Sequence, residues 1–179
     1  MRLGLDEQGV TELMAAVDHA SGLTKLAAGL RLSAEMSEAA RPGLLRPVDE
    51  DEADGRLAGL LGEIRAWAGE HLGFDRVPAL WLALGHHPVY LEAVWRREQA
   101  LMGDGSLTRF QKLCVGFALA ANNVSSYMID YYAAALRRRG LDEHGFLEIL
   151  AVVDYFNNLN TLADGMAIES DIKPGLGYE

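Results

Sequence analysis

The sequence is poor in cysteine and in β-branched residues. It has 1 cysteine in 179 residues, so no disulfide can form within the chain, and we expect a cytoplasmic protein. Val, Ile and Thr together number 19, whereas Leu and Ala number 53. Because β-branched side chains favour strands and lose rotamer freedom in helices, this composition argues against a mainly β protein.

Positive charge is also scarce. The chain has 16 Lys and Arg against 26 Asp and Glu, which gives a net charge of −10. A surface of this sign repels nucleic acid and anionic membranes, and we expect neither as a partner. The longest uncharged stretch, 113–129, contains two Asn and two Ser and is too short and too polar to span a bilayer.

Helical periodicity is abundant, and it predicts an all-α fold of seven or eight helices without strands. Ser21-Gly22 is expected to break the first helical region, and Asp49, with Glu52 three residues later, is expected to begin the second. The other predicted helix boundaries lie at Pro78, Pro88, Thr108 with Gln111, Arg137–Arg139 with Gly140, and Asp142.

Two interpretations follow from these helices. The basic run 137–139 is taken as a helix end, where cations offset the negative end of the helix dipole, rather than as an anion site. The segments 107–121 and 143–159 are apolar nearly all round, so we expect both to be buried in the core or in a subunit interface.

The common signatures of metal and nucleophile chemistry are missing. No Glu-x-x-His, His-Glu-x-x-His, nucleophile elbow, P-loop or Rossmann fingerprint occurs, and we expect no metal and no cofactor. The pair His86-His87 is interpreted as a polar turn before Pro88, with His86 kept as a ligand-binding candidate. Cys114 is expected to be a buried, inert thiol.

Polar residues cluster between the two apolar helices. Asn122 and Asn123 precede a predicted helix that begins near Ser125, and the free N–H groups of a helix N-terminus suit a negative charge. Ser125, Met128 and Tyr132 have the spacing of one helical face. The alternative is that the Asn and Ser side chains only cap the helix and that the tyrosines pack in the core.

A second polar group interrupts the last predicted helix, at Asn157, Asn158, Asn160 and Asp164. Buried amides and carboxylates need hydrogen-bond partners, so we interpret this group as bonding between helices. The alternative is a pocket wall in which Asn157 and Asn160 face the polar cluster around Ser125.

The stretch 118–140 resembles the core motif of the alkylhydroperoxidase D-like, carboxymuconolactone decarboxylase-like family, which contains Asn-x-Cys-x-x-Cys-x-x-x-His. The segment Tyr155-Phe156-Asn157-x-x-Asn160 is also similar to this family. The residues that resemble its peroxidase-related branch are Val77-Pro78, His87-Pro88-x-Tyr90-Leu91 and Trp95.

The resemblance extends over residues 49–172 and implies an all-α fold whose protomers associate as dimers, trimers or hexamers. We accordingly divide the chain into an N-terminal helical extension (1–45), an alkylhydroperoxidase D-like domain (46–172) and a loose tail (173–179).

The chain departs from the family motif at the reactive positions. Ser125 and Met128 stand where the family has its two cysteines, Tyr132 stands where it has histidine, and Leu113 stands where it has the glutamate of the proton relay. Peroxidase members of the family reduce hydroperoxides with the cysteine pair. Because serine and methionine cannot form a disulfide, the sequence predicts that thiol peroxidase chemistry is lost.

Two functions remain open. One is a non-redox reaction on a small substrate, such as an anionic one, because decarboxylase-type members of the family act on acidic lactones. The candidates are Tyr127 or Tyr132 as proton donor, Asp130 as base, and Asn123 and Ser125 as hydrogen-bonding anchors. The other is a non-catalytic protein that binds a small molecule or assembles into a homo-oligomer.

Overall fold

Seven α-helices form the described part of the chain. The computed structural model describes residues 4–33 and 43–168, and these residues contain no strand, which confirms the predicted all-α class. The helices are α1 (Glu7–Gly29), α2 (Gly55–His71), α3 (Ala79–Leu84), α4 (Pro88–Leu101), α5 (Arg109–Asn122), α6 (Ser126–Arg137) and α7 (Glu143–Gly165).

The first helix is continuous, so the break predicted at Ser21-Gly22 is wrong. Helix α1 begins after Asp6, whose carboxylate accepts the N–H of Gly9 at 2.7 Å, and it runs on to Gly29. Ala20 and Leu23, on either side of the predicted break, are buried. Burial of a continuous apolar stripe outweighs the roughly 1 kcal/mol by which a single glycine disfavours a helix.

Helix α1 packs against α4, α5 and α6 and contributes to the same hydrophobic core as the rest of the chain. The described part of the predicted extension 1–45 is therefore built into the bundle. The predicted loose tail, 173–179, lies outside the described residues.

The second helix begins later than predicted. Asp54 is its N-cap residue, and Asp49, which was expected in that position, instead accepts the N–H of Asp51 at 3.0 Å in a turn. Aspartate side chains bond the backbone two residues onward as readily as they cap helices, so the expected capping box does not form here.

The other predicted boundaries are confirmed. His87 Nδ1 accepts the N–H of Tyr90 at the start of α4, and Thr108 with Gln111 forms a reciprocal capping box before α5. Helix α6 is closed by Gly140, which has a φ of +85°, a left-handed conformation that glycine adopts without steric cost. Asp142 accepts the N–H of Gly145 at the start of α7.

Burial of the two apolar helices differs from expectation. Helix α5 buries one face, with Leu113 and Phe117 inside and Cys114 only partly covered. Helix α7 has no buried residue, so its predicted burial in the core is wrong. Its first turns reach α5, where Phe146 packs against Phe117, but most of the apolar residues beyond them stay exposed. None of the described helices is both long and apolar enough to cross a membrane.

Candidate functional site

The corner between α5 and α6 is made by Asn122, Asn123 and Val124. The Asn123 side-chain amide donates to the carbonyl of Leu119 at 2.8 Å, so this asparagine closes α5 rather than starting α6. Val124 has a φ of +53° and is 81% exposed. Ser125 is the N-cap residue of α6, but its hydroxyl makes no capping hydrogen bond, which leaves it for another partner.

The predicted shared face of α6 exists and points into the core. Ser125 is 8% exposed, Met128 is fully buried and Tyr132 is 1% exposed. The ring of Tyr132 lies over Gly116 of α5, close enough that a Cβ on that glycine would come within 2.6 Å of two ring carbons. Met128 and Tyr132 therefore pack in the interior, as the alternative interpretation of the tyrosines proposed.

Tyr127 is also buried, and its hydroxyl accepts the N–H of Leu80 at 2.9 Å. This bond satisfies an N–H group in the first turn of α3, where no helical partner exists. Tyr127 thus joins α6 to α3.

Asp130 lies apart from Ser125. It lines a cavity of about 430 Å³ together with Phe74 and two arginines, Arg137 and Arg138. Ser125 and Asp130 are five positions apart on α6, which places them on different sides of the helix. The structure therefore does not bring the four predicted catalytic residues to one cavity.

Ser125 lines a different cavity, of about 490 Å³, between the C-terminal end of α1 and the N-terminal end of α6. We call it the α1–α6 cavity. Asn123, Val124 and Ser126 lie on its α6 side, and Arg31 lies on its α1 side. Arg31 and the positive end of a helix dipole thus border one space, an arrangement that favours a negative charge.

Two residues that line the α1–α6 cavity have strained backbones. Arg31 and Val124 each have a φ of +53°, in the left-handed region that non-glycine residues seldom adopt. For a β-branched residue such as Val124 this conformation is especially unfavourable. Both residues directly follow the C-cap of a helix, where a left-handed residue is a common ending, and Ala167 after α7 has the same conformation.

The remaining predicted ligand-binding residues lie elsewhere. His86 is exposed, its Nε2 bonds to the carbonyl of Arg46 at 2.7 Å, and it belongs to a separate surface cavity with Asp49. Asn157 and Asn160 are exposed on α7 and line neither the α1–α6 cavity nor the Asp130 cavity. The predicted pocket wall with the Ser125 segment is absent from these two cavities.

A buried polar cluster was missed by sequence reasoning. The Glu98 carboxylate is 2.7 Å from Nε2 of His19 and 3.7 Å from the Arg109 guanidinium, and both His19 and Glu98 are 2% exposed at their side chains. A signal for it exists, because Glu98 occupies the buried stripe of α4 between Trp95 and Met102. Nothing in the sequence pairs it with His19, which is 79 residues away.

The cluster affects two buried tyrosines. Desolvation raises the pKa of Tyr131 and Tyr132 well above the ordinary tyrosine value, and the negative charge of Glu98 raises both further. Neither hydroxyl has a hydrogen-bond partner among the described residues. The nearby indole nitrogen of Trp81 acts in the opposite direction and lowers the pKa of Tyr131, although the two groups do not form a hydrogen bond. These phenols stay protonated, but Tyr132, a predicted proton donor, lines neither the α1–α6 cavity nor the cavity of Asp130.

Among the comparisons with known proteins, only the search of solved structures gives a match. No protein-family model and no curated protein matches the chain. Among solved structures, the chain is similar to the core of alkylhydroperoxidase AhpD from Rhodospirillum rubrum, with 25% sequence identity and a TM-score of 0.63. The match covers 76% of this chain and 95% of the other. The chain has an alkylhydroperoxidase D-like fold.

This alkylhydroperoxidase D-like chain has a single thiol, Cys114 on α5. Cys114 is partly buried, and desolvation raises its pKa, which lowers the fraction present as the reactive thiolate. Within the described residues, no group of three or more His, Cys, Asp and Glu side chains is placed to hold a metal ion.

Proposed function

We propose that this alkylhydroperoxidase D-like protein binds a small anionic molecule in the α1–α6 cavity and lacks thiol peroxidase activity. The observation that carries the proposal is the placement of Arg31 and the N-terminus of α6 around one cavity of about 490 Å³. This volume lies within the range of small-molecule sites, roughly 300–1,000 Å³. A cytoplasmic location is part of the same proposal.

The geometry supports binding better than acid–base catalysis at this place. Of the predicted catalytic residues, Ser125 lines the α1–α6 cavity, whereas Tyr127 bonds to α3, Tyr132 packs on Gly116 and Asp130 lines another cavity. A general base must lie within hydrogen-bond reach of the proton that it removes. A non-redox reaction here would therefore depend on the Ser125 hydroxyl and the Arg31 guanidinium.

The binding proposal predicts that Arg31→Gly stabilises the fold and weakens the binding of an anion. Glycine relieves the left-handed backbone at residue 31, so we expect a gain of about 0.5–1 kcal/mol in the free energy of unfolding. The same change removes the cation, and we expect at least tenfold weaker binding of succinate, measured by NMR titration.

Two variants control for this result. Val124→Gly relieves the same backbone strain without changing the charge of the cavity, and Arg56→Gln removes an exposed arginine from α2. Both should bind succinate as the wild type does, and succinamide, which has the same shape without charge, should bind weakly. Equal succinate affinity in Arg31→Gly and wild type would show that the cavity is not an anion site. Native mass spectrometry would reveal a molecule retained from the expression host.

The second part of the proposal concerns peroxide chemistry. With one cysteine the chain cannot form the intramolecular disulfide on which the peroxidase mechanism depends. We expect no turnover of tert-butyl hydroperoxide with dithiothreitol as reductant, and an identical background rate for Cys114→Ala. Turnover that disappears in Cys114→Ala would establish a single-thiol mechanism and contradict the proposal.

We also propose that the chain forms a homo-oligomer through α7. Seven large apolar side chains of this helix are 38–66% exposed, namely Leu147, Leu150, Val152, Tyr155, Phe156, Leu159 and Leu162. Large exposed apolar patches are uncommon on monomers, and where they occur they mark interaction sites. A second copy is the partner that the family resemblance implies.

A further inference from the structure

A second cavity, of about 330 Å³, lies between α1 and α4 and is distinct from the α1–α6 cavity. We call it the α1–α4 cavity. His19 and Gly22 lie on its α1 side, and Val94 and Arg97 lie on its α4 side. None of the residues that the family resemblance assigns to the reactive motif lines this space. The chemistry of this cavity is therefore separate from that of the reactive motif.

His19 presents one ring nitrogen to the α1–α4 cavity. Its side chain is 2% exposed, and its Nε2 lies 2.7 Å from the Glu98 carboxylate. Within the described residues, Nδ1 of His19 has no hydrogen-bond partner. Nδ1 is also not one of the polar atoms there that are both fully buried and unpartnered, so it keeps accessible surface. Because His19 lines the α1–α4 cavity, that surface faces the cavity.

The bond to Glu98 determines the hydrogen-bonding role of Nδ1. An ionised carboxylate only accepts hydrogen bonds, so Nε2 of His19 carries the hydrogen of this pair. In the neutral ring, Nδ1 is then a hydrogen-bond acceptor. A carboxylate at one nitrogen of an imidazole also fixes the ring orientation and raises the basicity of the other nitrogen. The α1–α4 cavity is therefore suited to a ligand that donates a hydrogen bond.

The cations near the α1–α4 cavity do not favour an anion at His19. Arg97 is paired with Asp18, which offsets its charge. Lys25 is exposed and lies six residues after His19, roughly 120° around the helix, so its ammonium group is not at the His19 end. The remaining lining side chains are apolar or aromatic, namely Leu23, Leu26, Tyr90 and Val94. A neutral ligand with an apolar body matches this lining.

We propose that the α1–α4 cavity binds a small neutral phenol, whose hydroxyl group donates to Nδ1 of His19 and whose ring packs against Leu23 and Val94. At about 330 Å³ the cavity is near the lower end of the small-molecule range, so a single ring fits its size. A phenol is uncharged at neutral pH because its pKa, like that of a tyrosine side chain, is about 10. This site does not depend on the function proposed for the α1–α6 cavity.

Gly22 provides a test that does not weaken the fold. It lies within α1 and a Cβ there would meet no atom within 4 Å, so a larger residue extends into the cavity without a backbone clash. Leucine favours helix over glycine, so Gly22→Leu should fold at least as well as the wild type. Gly62→Leu is the matched control, because Gly62 is exposed in α2 and a Cβ there would also meet no atom within 4 Å.

The experiment is an NMR titration of the full chain with phenol and, separately, with anisole, which has the same ring and oxygen atom but no hydroxyl hydrogen. We expect phenol to bind with millimolar affinity and to shift the resonances of Val94 and of Nδ1 of His19. Before phenol is added, Nδ1 should resonate as an unprotonated nitrogen. Anisole should bind about tenfold more weakly, because it cannot donate to this buried acceptor. Gly22→Leu should weaken phenol binding about tenfold, and Gly62→Leu should leave it unchanged.

Four results would each overturn the proposal. These are a protonated Nδ1 in the free protein at neutral pH, no shift of the His19 resonances with phenol, equal affinity for phenol and anisole, and unchanged phenol affinity in Gly22→Leu. Shifts confined to residues around Arg31 and Ser125 would assign phenol to the α1–α6 cavity and would also contradict this site. Succinate, the probe of the α1–α6 cavity, should leave the Nδ1 resonance of His19 unchanged, so each site is tested by its own ligand.

Discussion

At the scale of single residues, Gly116 and Tyr132 form one packing unit. The Tyr132 ring occupies space that any side chain at position 116 would need, and both residues are buried. The absence of a side chain at Gly116 makes room for the phenol ring.

We therefore predict that Gly116→Ala destabilises the fold by about 1–2 kcal/mol, despite the higher helix propensity of alanine, because the added methyl group overpacks the core. Urea denaturation measures the loss. In Tyr132→Leu the clash partner is smaller, so adding Gly116→Ala to that variant should cost less than it does in the wild type. Gly62→Ala, at an open exposed helix position, should be neutral or stabilising; a similar loss there would refute the packing explanation.

Residues that form hydrogen bonds with near neighbours in the sequence could be predicted from the sequence. Thr108 with Gln111 and Asp142 cap helices through bonds to residues three positions away, so their spacing contains the information. The His19–Glu98 pair could not be predicted in this way, because its geometry depends on how α1 crosses α4. The placement of Asp130 away from Ser125 follows from helix periodicity and could have been recognised.

At the scale of elements, hydrogen bonds to the Glu12 side chain connect α1 to the loop before α5. Its carboxylate accepts the N–H groups of Ser106 and Leu107 at 3.0 and 3.1 Å and lies 3.2 Å from Lys112 Nζ. The two backbone hydrogen bonds are the main reason that the pKa of Glu12 falls from 4.5 to about 2; Lys112 and Gln8 lower it further, and desolvation opposes the shift.

This pKa shift predicts part of the acid sensitivity of the fold. Since the folded-state pKa is depressed, Glu12 contributes stability that is fully present above pH 4.5 and is lost as the pH falls toward about 2. In Glu12→Gln the free energy of unfolding should be lower at neutral pH and should fall less steeply between pH 4.5 and 2. Glu52→Gln, an equal charge change at an exposed turn, is the control; a slope in Glu12→Gln equal to that of the wild type would contradict this assignment.

The existence of the helices was predicted more accurately than the residues at which they begin and end. Apolar periodicity identifies α2, α4, α5, α6 and α7 because each has at least one face that packs against the bundle. The break at Ser21-Gly22 and the start at Asp49 were wrong because local propensity was outweighed by burial in one case and by a competing Asx-type bond in the other.

At the scale of the whole molecule, the described part of one chain leaves most of the apolar surface of α7 uncovered. Its apolar periodicity is real, but the described chain covers only the first turns of the helix. Periodicity reveals that a face needs a partner, and it does not reveal whether that partner belongs to the same chain.

We predict that the double variant Val152→Glu with Tyr155→Glu converts the oligomer to a monomer of 19.5 kDa, because both side chains are more than half exposed in the isolated chain and charges there would have to be desolvated in an interface. Sedimentation velocity gives the mass. Ala58→Glu with Ala66→Glu adds the same charge to exposed positions of α2 and should leave the oligomer intact. A wild type that sediments as a monomer would refute the self-association proposal.

The pairing of His19 with Glu98 has a consequence for synthesis of the chain. During synthesis α1 emerges before α4, so His19 must wait for a partner that is 79 residues behind it. At translation rates of about 5–20 residues per second, this delay lasts roughly 4–16 s. During that time neither α4 nor α5 is present to cover the apolar stripe of α1, which contains Ala16, Ala20, Leu23 and Ala27. Nascent α1 therefore exposes apolar surface that a chaperone can cover until α4 and α5 have emerged.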